Sequence, residues 1–124
     1  MKILAVDDEI DIQTLFLQKF RKEIRSGEMD FVFAQSGEQA INYLRQHNHE
    51  AVLILSDINM PGMSGLELLK VIKTEYKTPP PFVMMITAYG DAENYNSAIS
   101  LGADDFLTKP LDFTILKDKL KQLM

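Results

Sequence analysis

Five polar side chains stand at the ends of short apolar runs and together suggest phosphoryl chemistry. Asp7 and Asp8 follow the first run, Asp57 the third, Thr87 the fourth and Lys109 the fifth. Crowded carboxylates repel one another, and a hard cation such as Mg²⁺ relieves that repulsion through oxygen ligands. A carboxylate can also form an aspartyl phosphate, whose oxygens need positive charge and hydrogen-bond donors. The residues therefore predict a phosphoacceptor at Asp57, with Lys109 as the charge and Thr87 as the donor.

Each of these residues also has a simpler explanation when it is taken alone. Asp7 and Asp8 could form a turn after a strand, and Asp57 could cap a helix or lie in a loop. Thr87 and Lys109 predict nothing by themselves. Their joint placement at four separate strand ends favours one shared site.

The elements that must position these residues alternate along the chain. Apolar runs predict strands over 3–6, 31–34, 51–55, 82–86 and 104–107. Helical spacing of apolar residues predicts helices from about 9 to 25, after Ser36, after Gly65, from about 91 to 101 and from about 112 onward. Such alternation predicts a (βα)5 doubly wound sandwich with a five-stranded parallel sheet, for which we adopt the flavodoxin-like strand order 2-1-3-4-5. In that order strands one and three are neighbours, so Asp7, Asp8 and Asp57 would share one crevice.

Two details of the helix pattern are specific enough to test. Ser36, followed three residues later by Gln39, predicts a helix N-cap with a capping box. The first helix should bury one face, made of Ile12, Leu15, Phe16, Phe20 and Ile24, and the last helix should turn Phe113, Leu116, Leu120 and Leu123 inward. His47 and His49 fall in a polar stretch and are expected to be solvated.

Length, charge and composition narrow the function classes. The 124 residues fit one domain, over 1–124, and 13 basic against 18 acidic side chains give a net charge of −5. That charge argues against a direct nucleic-acid or membrane surface. Without cysteine there is no disulfide, thiolate metal site or cysteine nucleophile. Neither a signal peptide nor an apolar stretch of about 20 residues is present, so a cytoplasmic location is expected.

Other catalytic motifs do not occur in the chain. It lacks Gly-x-x-x-x-Gly-Lys-Ser/Thr, Gly-x-Gly-x-x-Gly after a strand, and the Gly-x-Ser-x-Gly elbow. Nucleotide, dinucleotide and serine-hydrolase functions therefore have no support, and no organic cofactor is expected.

Over essentially its whole length the sequence resembles the receiver domains of bacterial two-component response regulators. The resemblance is carried by the segments 3–9, 55–65, 86–88 and 102–110. It implies that Asp57 accepts a phosphoryl group from a histidine kinase and that the domain then changes conformation to control an output domain or partner protein. The only reactions it implies are the domain's own phosphorylation and dephosphorylation, so the chain is not expected to be a metabolic enzyme.

The resemblance also implies a role for each site residue. Asp8 binds Mg²⁺ directly, Asp7 binds it through water, and Asp57 and the backbone carbonyl of Asn59 complete the protein ligands. Thr87 hydrogen-bonds the attached phosphoryl group, and Lys109 pairs with Asp57 or its phosphate.

Three further implications concern the switch and the lifetime of the phosphate. Phe106 turns inward when Thr87 moves toward the phosphate. The peptide between Lys109 and Pro110 is cis. Asn59 and Tyr89 flank the site, and Tyr89 shields the acyl phosphate from water, so hydrolysis is expected to be slow.

The implied partners are a sensor histidine kinase or a histidine phosphotransfer protein, and a downstream effector domain or protein. Homodimerisation is a further option, although helix 93–97 lacks the basic residue of a common dimer network. Two other hypotheses remain. A Mg²⁺-dependent phosphohydrolase would need an Asp-x-Asp stretch and a cap over the site. A pure interaction module would need only a vestigial site.

Overall fold

The chain folds into a five-stranded sheet covered by helices on both faces. The computed structural model describes residues 1–47, 53–75, 81–88 and 90–123. The strands within them are β1 (Lys2–Val6), β2 (Asp30–Ala34), β3 (Leu53–Asp57), β4 (Phe82–Ala88) and β5 (Asp105–Lys109). The helices are α1 (Ile10–Lys19), α2 (Arg21–Arg25), α3 (Gly37–His47), α4 (Gly65–Glu75), α5 (Ala92–Ser100) and α6 (Phe113–Gln122).

All strand pairs are parallel, in the order β2-β1-β3-β4-β5, which confirms the predicted fold. Side chains alternate between the two faces along each strand, so neighbouring positions enter different cores. Leu4 and Ile54 pack under α3, α4 and α5, whereas Ile3 and Leu55 pack under α1 and α6. Every residue of β3 is buried, as expected for a central strand covered on both faces.

The first predicted helix is divided in two, which the sequence pattern did not show. Phe20 lies between α1 and α2, with φ of −107° and ψ of 21°. Hydrogen bonds continue across it, because its N–H donates to Phe16 O and its O accepts from Ile24 N–H, each at 2.9 Å. Its ring is fully buried and stacks on Phe16 at 5.8 Å. The helical spacing of apolar residues predicts which side chains face inward, but it does not predict a local change in the backbone angles.

The other helix predictions are confirmed only in part. Ser36 Oγ accepts from Gln39 N–H at 3.1 Å, as the capping box predicts, but Gln39 Oε1 accepts from Gln35 N–H, at 2.8 Å. Leu15 and Leu123 were expected to lie inward, but they are 38% and 41% exposed. His47 belongs to α3 rather than to a solvated loop, and its ring stacks on Tyr43 at 4.0 Å. His49 lies outside the described residues.

None of the helices formed by the described residues is long and apolar enough to cross a membrane.

Candidate functional site

The carboxyl ends of β1 and β3 bring three aspartates together. Val6 lies opposite Ser56 in the sheet, so the next residues, Asp7 and Asp57, leave neighbouring strands side by side. One carboxylate oxygen from each of Asp7, Asp8 and Asp57 lies within 4.8 Å of the others. Asp57 is 2% exposed, whereas Asp8 is open to solvent. The predicted acidic cluster is therefore present, with its deepest carboxylate on β3.

Lys109 supplies the positive charge next to the buried aspartate. Its Nζ donates to Asp57 Oδ2 at 2.7 Å, and the lysine side chain is 39% exposed. Burial acts to lower the pKa of Lys109, but the hydrogen bond to Asp57 and the charges of Asp57, Asp7 and Glu9 outweigh it and raise that pKa. The lysine is thus held charged, with part of its surface open toward the site.

The buried position of Asp7 makes its charge costly. Burial, with a smaller effect from the charge of Asp57, raises the pKa of the Asp7 carboxyl. The Glu9 N–H, which donates to Asp7 Oδ1 at 2.9 Å, and the charge of Lys109 oppose that rise. Lys109 alone does not balance the three carboxylates. A set of clustered oxygens short of positive charge fits a hard divalent cation.

Thr87 contributes a buried hydroxyl to this edge of the sheet. It is 2% exposed, and its Oγ1 makes no hydrogen bond to any described residue. Such groups are rare, since buried hydroxyls are nearly always bonded. Ile86, the residue before it, lies opposite Asp57 in the sheet, so Thr87 sits just beyond the acidic residue on the next strand. A ligand at this edge of the sheet could use the free hydroxyl.

The loop after Asp57 is anchored tightly to the aspartate's own backbone. The Gly65 N–H donates to Ile58 O at 2.8 Å, and a Cβ at position 65 would overlap Asp57 O. Ser56 Oγ also donates to Asp57 O, at 3.0 Å. Sequence reasoning placed Gly65 in the loop without a functional role, because its close approach to Asp57 appears only in the folded chain. Asn59 lies in this loop and is exposed.

Phe106, the predicted switch residue, lies on β5. Phe106 is half-buried, and its ring centroid lies 4.5 Å from that of Tyr95, which is 42% exposed. Tyr89 falls outside the described residues. The Lys109–Pro110 peptide is cis, which confirms that expectation.

A small cavity opens beside the acidic cluster. Its volume is about 150 Å³, and it lies between α1 and the segment after β5. Asp7 and Lys109 line its polar side, and Ile12, Phe16 and Leu111 contribute apolar walls. The site therefore has an apolar flank as well as a charged centre.

A parallel sheet in the order 2-1-3-4-5, with its polar side chains gathered beyond the strands' carboxyl ends, defines a flavodoxin-like domain. Within that class, this chain belongs to the receiver domains of response regulators. The family described as "Response regulator receiver domain" matches residues 3–121. The chain is accordingly a regulatory domain of two-component signalling.

Individual relatives agree with this assignment. The response regulator RppA of Synechocystis is 36% identical over 99% of this chain, which spans 50% of that protein. A chemotaxis protein CheY homolog of Campylobacter jejuni is 30% identical over 100% of this chain and 92% of its own length. The chain thus spans about half of one relative and nearly all of the other.

Solved structures show the same fold. Vibrio cholerae CheY4 superposes with a TM-score of 0.82 at 25% identity, covering 99% of this chain and 98% of that one. The receiver domain of NtrX from Brucella abortus superposes with a TM-score of 0.80 at 31% identity, covering 97% and 95%.

Proposed function

We propose that this domain accepts a phosphoryl group on Asp57 in a Mg²⁺-dependent reaction and then controls an output domain or partner protein. The observation that carries the proposal is the environment of Asp57. Its carboxylate is buried, accepts a 2.7 Å hydrogen bond from Lys109, and lies within a cluster formed with Asp7 and Asp8.

The chemistry follows from the nucleophile and its surroundings. An Asp57 carboxylate oxygen forms a bond to phosphorus while the bond from phosphorus to the donor's histidine nitrogen breaks, and that nitrogen keeps the electron pair. Lys109 shifts its hydrogen bond from the carboxylate to a phosphoryl oxygen. The Thr87 hydroxyl, which has no partner among the described residues, donates to another phosphoryl oxygen.

Asp7, Asp8 and Asp57 are the residues that would hold Mg²⁺, together with the backbone carbonyl of Asn59. When bound, the ion neutralises carboxylate charge and stabilises the charge that develops on the transferred group. The spacing and oxygen chemistry of the three carboxylates support this assignment.

The partners follow from the same proposal. A sensor histidine kinase or a histidine phosphotransfer protein would supply the phosphoryl group, and the apolar cavity beside Asp7 offers it a contact surface. The output would be an effector domain or a separate protein. Thr87 would pass the signal to Phe106 and to the exposed Tyr95 next to it.

Mass spectrometry of the intact protein tests the phosphoacceptor directly. Incubated with acetyl phosphate and Mg²⁺, the parent should gain the mass of one phosphoryl group, and Asp57→Asn should gain none. Asp30→Asn, which alters an exposed aspartate at the start of β2, is the matched control and should behave as the parent. No gain in the parent, or a gain that persists in Asp57→Asn, would reject Asp57 as the acceptor.

A further inference from the structure

Basic side chains are strongly concentrated in two segments of this acidic protein. Residues 18–25 and 117–121 hold seven of the 13 lysines and arginines but only two of the 18 acidic residues. The rest of the chain therefore has six basic and sixteen acidic side chains. Since α1, α2 and α6 pack on the same face of the sheet, the fold brings the two segments together.

These segments form an open cleft of about 510 Å³, which we call the basic cleft. It is lined by Gln18, Lys19, Arg21, Lys22, Glu23 and Lys117. Lys19, Arg21 and Lys22 are exposed, and within the described part of the chain no ion pair or side-chain hydrogen bond engages Arg21 or Lys22. The rim of the cleft therefore carries cations that are available to a ligand.

The floor of the cleft is organised around a buried carboxylate. Glu23 is 6% exposed, and its Oε2 lies 3.5 Å from Lys117 Nζ and 3.6 Å from Lys121 Nζ. Lys117 Nζ also donates to Lys19 O at 3.1 Å and lies 5.4 Å from the Phe20 ring centroid. These contacts fix Lys117 in place. Glu23 Oε1 is itself buried and has no hydrogen-bond partner among the described residues, so Lys117 and Lys121 meet the charge of Glu23 through Oε2.

We propose that the basic cleft is a docking site for an acidic segment of a partner protein. Such a segment offers carboxylates to the exposed cations on the rim of the cleft. A long polyanion fits less well, because it would extend beyond the cleft onto a surface in which acidic residues outnumber basic ones. The cleft's concave shape likewise suits a short segment better than a flat bilayer.

The cleft lies away from the phosphoacceptor. α1 begins just after Asp7 and runs back along the sheet, so Lys19 and α2 lie toward the opposite edge. The hydrogen bond from Met29 N–H to Glu23 O, at 3.1 Å, places α2 next to the start of β2. A partner in the cleft would leave Asp57 accessible. The proposal does not depend on phosphorylation.

Binding of a fluorescein-labelled hexaglutamate peptide, followed by anisotropy at low salt, tests the proposal. Lys22→Glu should weaken binding about fivefold or more, and the neutral Lys22→Gln should weaken it less. The matched control is Lys70→Glu, which alters an exposed lysine on α4 and gives the same net charge as Lys22→Glu. The affinity of this variant for the peptide should stay within about twofold of the parent's. On addition of the peptide, the largest changes in amide NMR chemical shift should occur at residues 18–23 and at Lys117. Binding of the peptide should weaken as salt is added.

Several outcomes would overturn the inference. Equal weakening by Lys22→Glu and Lys70→Glu would show a response to net charge alone. If hexaglutamine bound as tightly as hexaglutamate, recognition by charge would be excluded. If hexaglutamate did not bind at all, the cleft would not be a docking site for acidic segments. Tighter binding of single-stranded DNA or phosphatidylserine vesicles, lost in Lys22→Glu, would assign the cleft to a different class of partner.

Discussion

At the scale of single residues, the acidic cluster is an electrostatic cost when no cation is bound. Asp7 and Asp57 are both buried, and Lys109 is the basic side chain that bonds directly to Asp57 in the described structure. Removing one carboxylate charge should relieve repulsion even though it removes part of the proposed metal site. Stability and function should therefore change in opposite directions.

We predict that Asp7→Asn stabilises the metal-free protein at neutral pH by roughly 1 to 3 kcal/mol, the scale of like-charge repulsion at such short range. The parent's stability should depend on pH in the matching direction. A carboxyl whose pKa is raised by folding binds its proton more tightly in the folded state. The parent should thus gain stability as pH falls toward 3.8, the ordinary value, and lose it as pH rises through the raised pKa.

Urea unfolding with a chelator present, at about pH 7 and about pH 5, measures this effect. The lower pH is set by Glu23. Burial acts to raise the pKa of Glu23, but its backbone hydrogen bond and the charges of Lys117 and Lys121 outweigh burial and lower that pKa. The stabilising contribution of Glu23 is therefore lost only as pH falls below the ordinary value of 4.5. The parent's free energy of unfolding should rise between about pH 7 and about pH 5. Asp7→Asn should show much less of this rise, while the exposed Asp30→Asn should show all of it. A destabilised Asp7→Asn with the parent's pH profile would contradict the electrostatic account.

At the scale of elements, the first residue of α4 holds the nucleophile's backbone in place. A Cβ at position 65 would overlap the carbonyl oxygen of Asp57 and lie 2.7 Å from Ile58 Cα, and both of these are backbone atoms. Gly37, the first residue of α3, offers a comparison. A Cβ there would lie 2.7 Å from Met63 Sδ, which belongs to a flexible side chain.

We predict that Gly65→Ala lowers the free energy of unfolding by at least about 2 kcal/mol, because backbone must shift to admit the methyl group. Gly37→Ala should change it by less than about 1 kcal/mol, since Met63 can adopt another rotamer. Urea unfolding gives the stabilities, and phosphorylation yield in acetyl phosphate, corrected for the folded fraction, reports on the position of Asp57. The yield should fall in Gly65→Ala alone. Equal losses of stability in the two variants would show that contact with Asp57 is not what requires a glycine at position 65.

The elements that hold the site were largely predictable from sequence. Uniformly apolar runs predicted the buried strands, and their alternation with helices predicted a parallel sheet. The order 2-1-3-4-5 came from the flavodoxin-like class rather than from the alternation. With that order, the sequence places Asp7, Asp8 and Asp57 in one crevice and Lys109 at another strand end on the same edge of the sheet. The division of the first helix at Phe20 was not predictable from helical spacing, and the Phe20 ring packs on Phe31 and Phe113, which lie in other elements.

At the scale of the whole molecule, the sequence was least informative where distant segments meet. A net charge of −5 suggested no basic surface, yet two segments nearly a hundred residues apart form the basic cleft. The Thr87 hydroxyl has no hydrogen-bond partner among the described residues, and this too depends on which neighbours the fold places around it. Net charge and composition average over the whole chain and so do not reveal a local cluster of basic residues. Hydrophobic periodicity describes one helix or strand at a time and so does not reveal contacts between elements. A site made by packing between elements can be found only once their arrangement is known.

That hydroxyl also provides a test of coupling across the molecule. The chain has no tryptophan, so Phe106→Trp introduces a single indole reporter 4.5 Å, by the parent's ring spacing, from Tyr95. If phosphorylation draws Thr87 toward Asp57 and Phe106 follows inward, indole emission should shift to shorter wavelength on addition of acetyl phosphate and Mg²⁺. Thr87→Val in this background should abolish the shift, because valine keeps the shape but lacks the donor.

Thr87→Val should not harm folding, because it removes a buried hydroxyl that bonds to no described residue and puts a β-branched side chain in a strand. The control is Thr108→Val, the exposed threonine paired with Thr87 on β5, which should leave the shift intact. Intact-mass measurements on the same samples separate loss of phosphorylation from loss of coupling. A full emission shift in phosphorylated Thr87→Val would mean that Phe106 responds to Asp57 by a route that does not involve the hydroxyl.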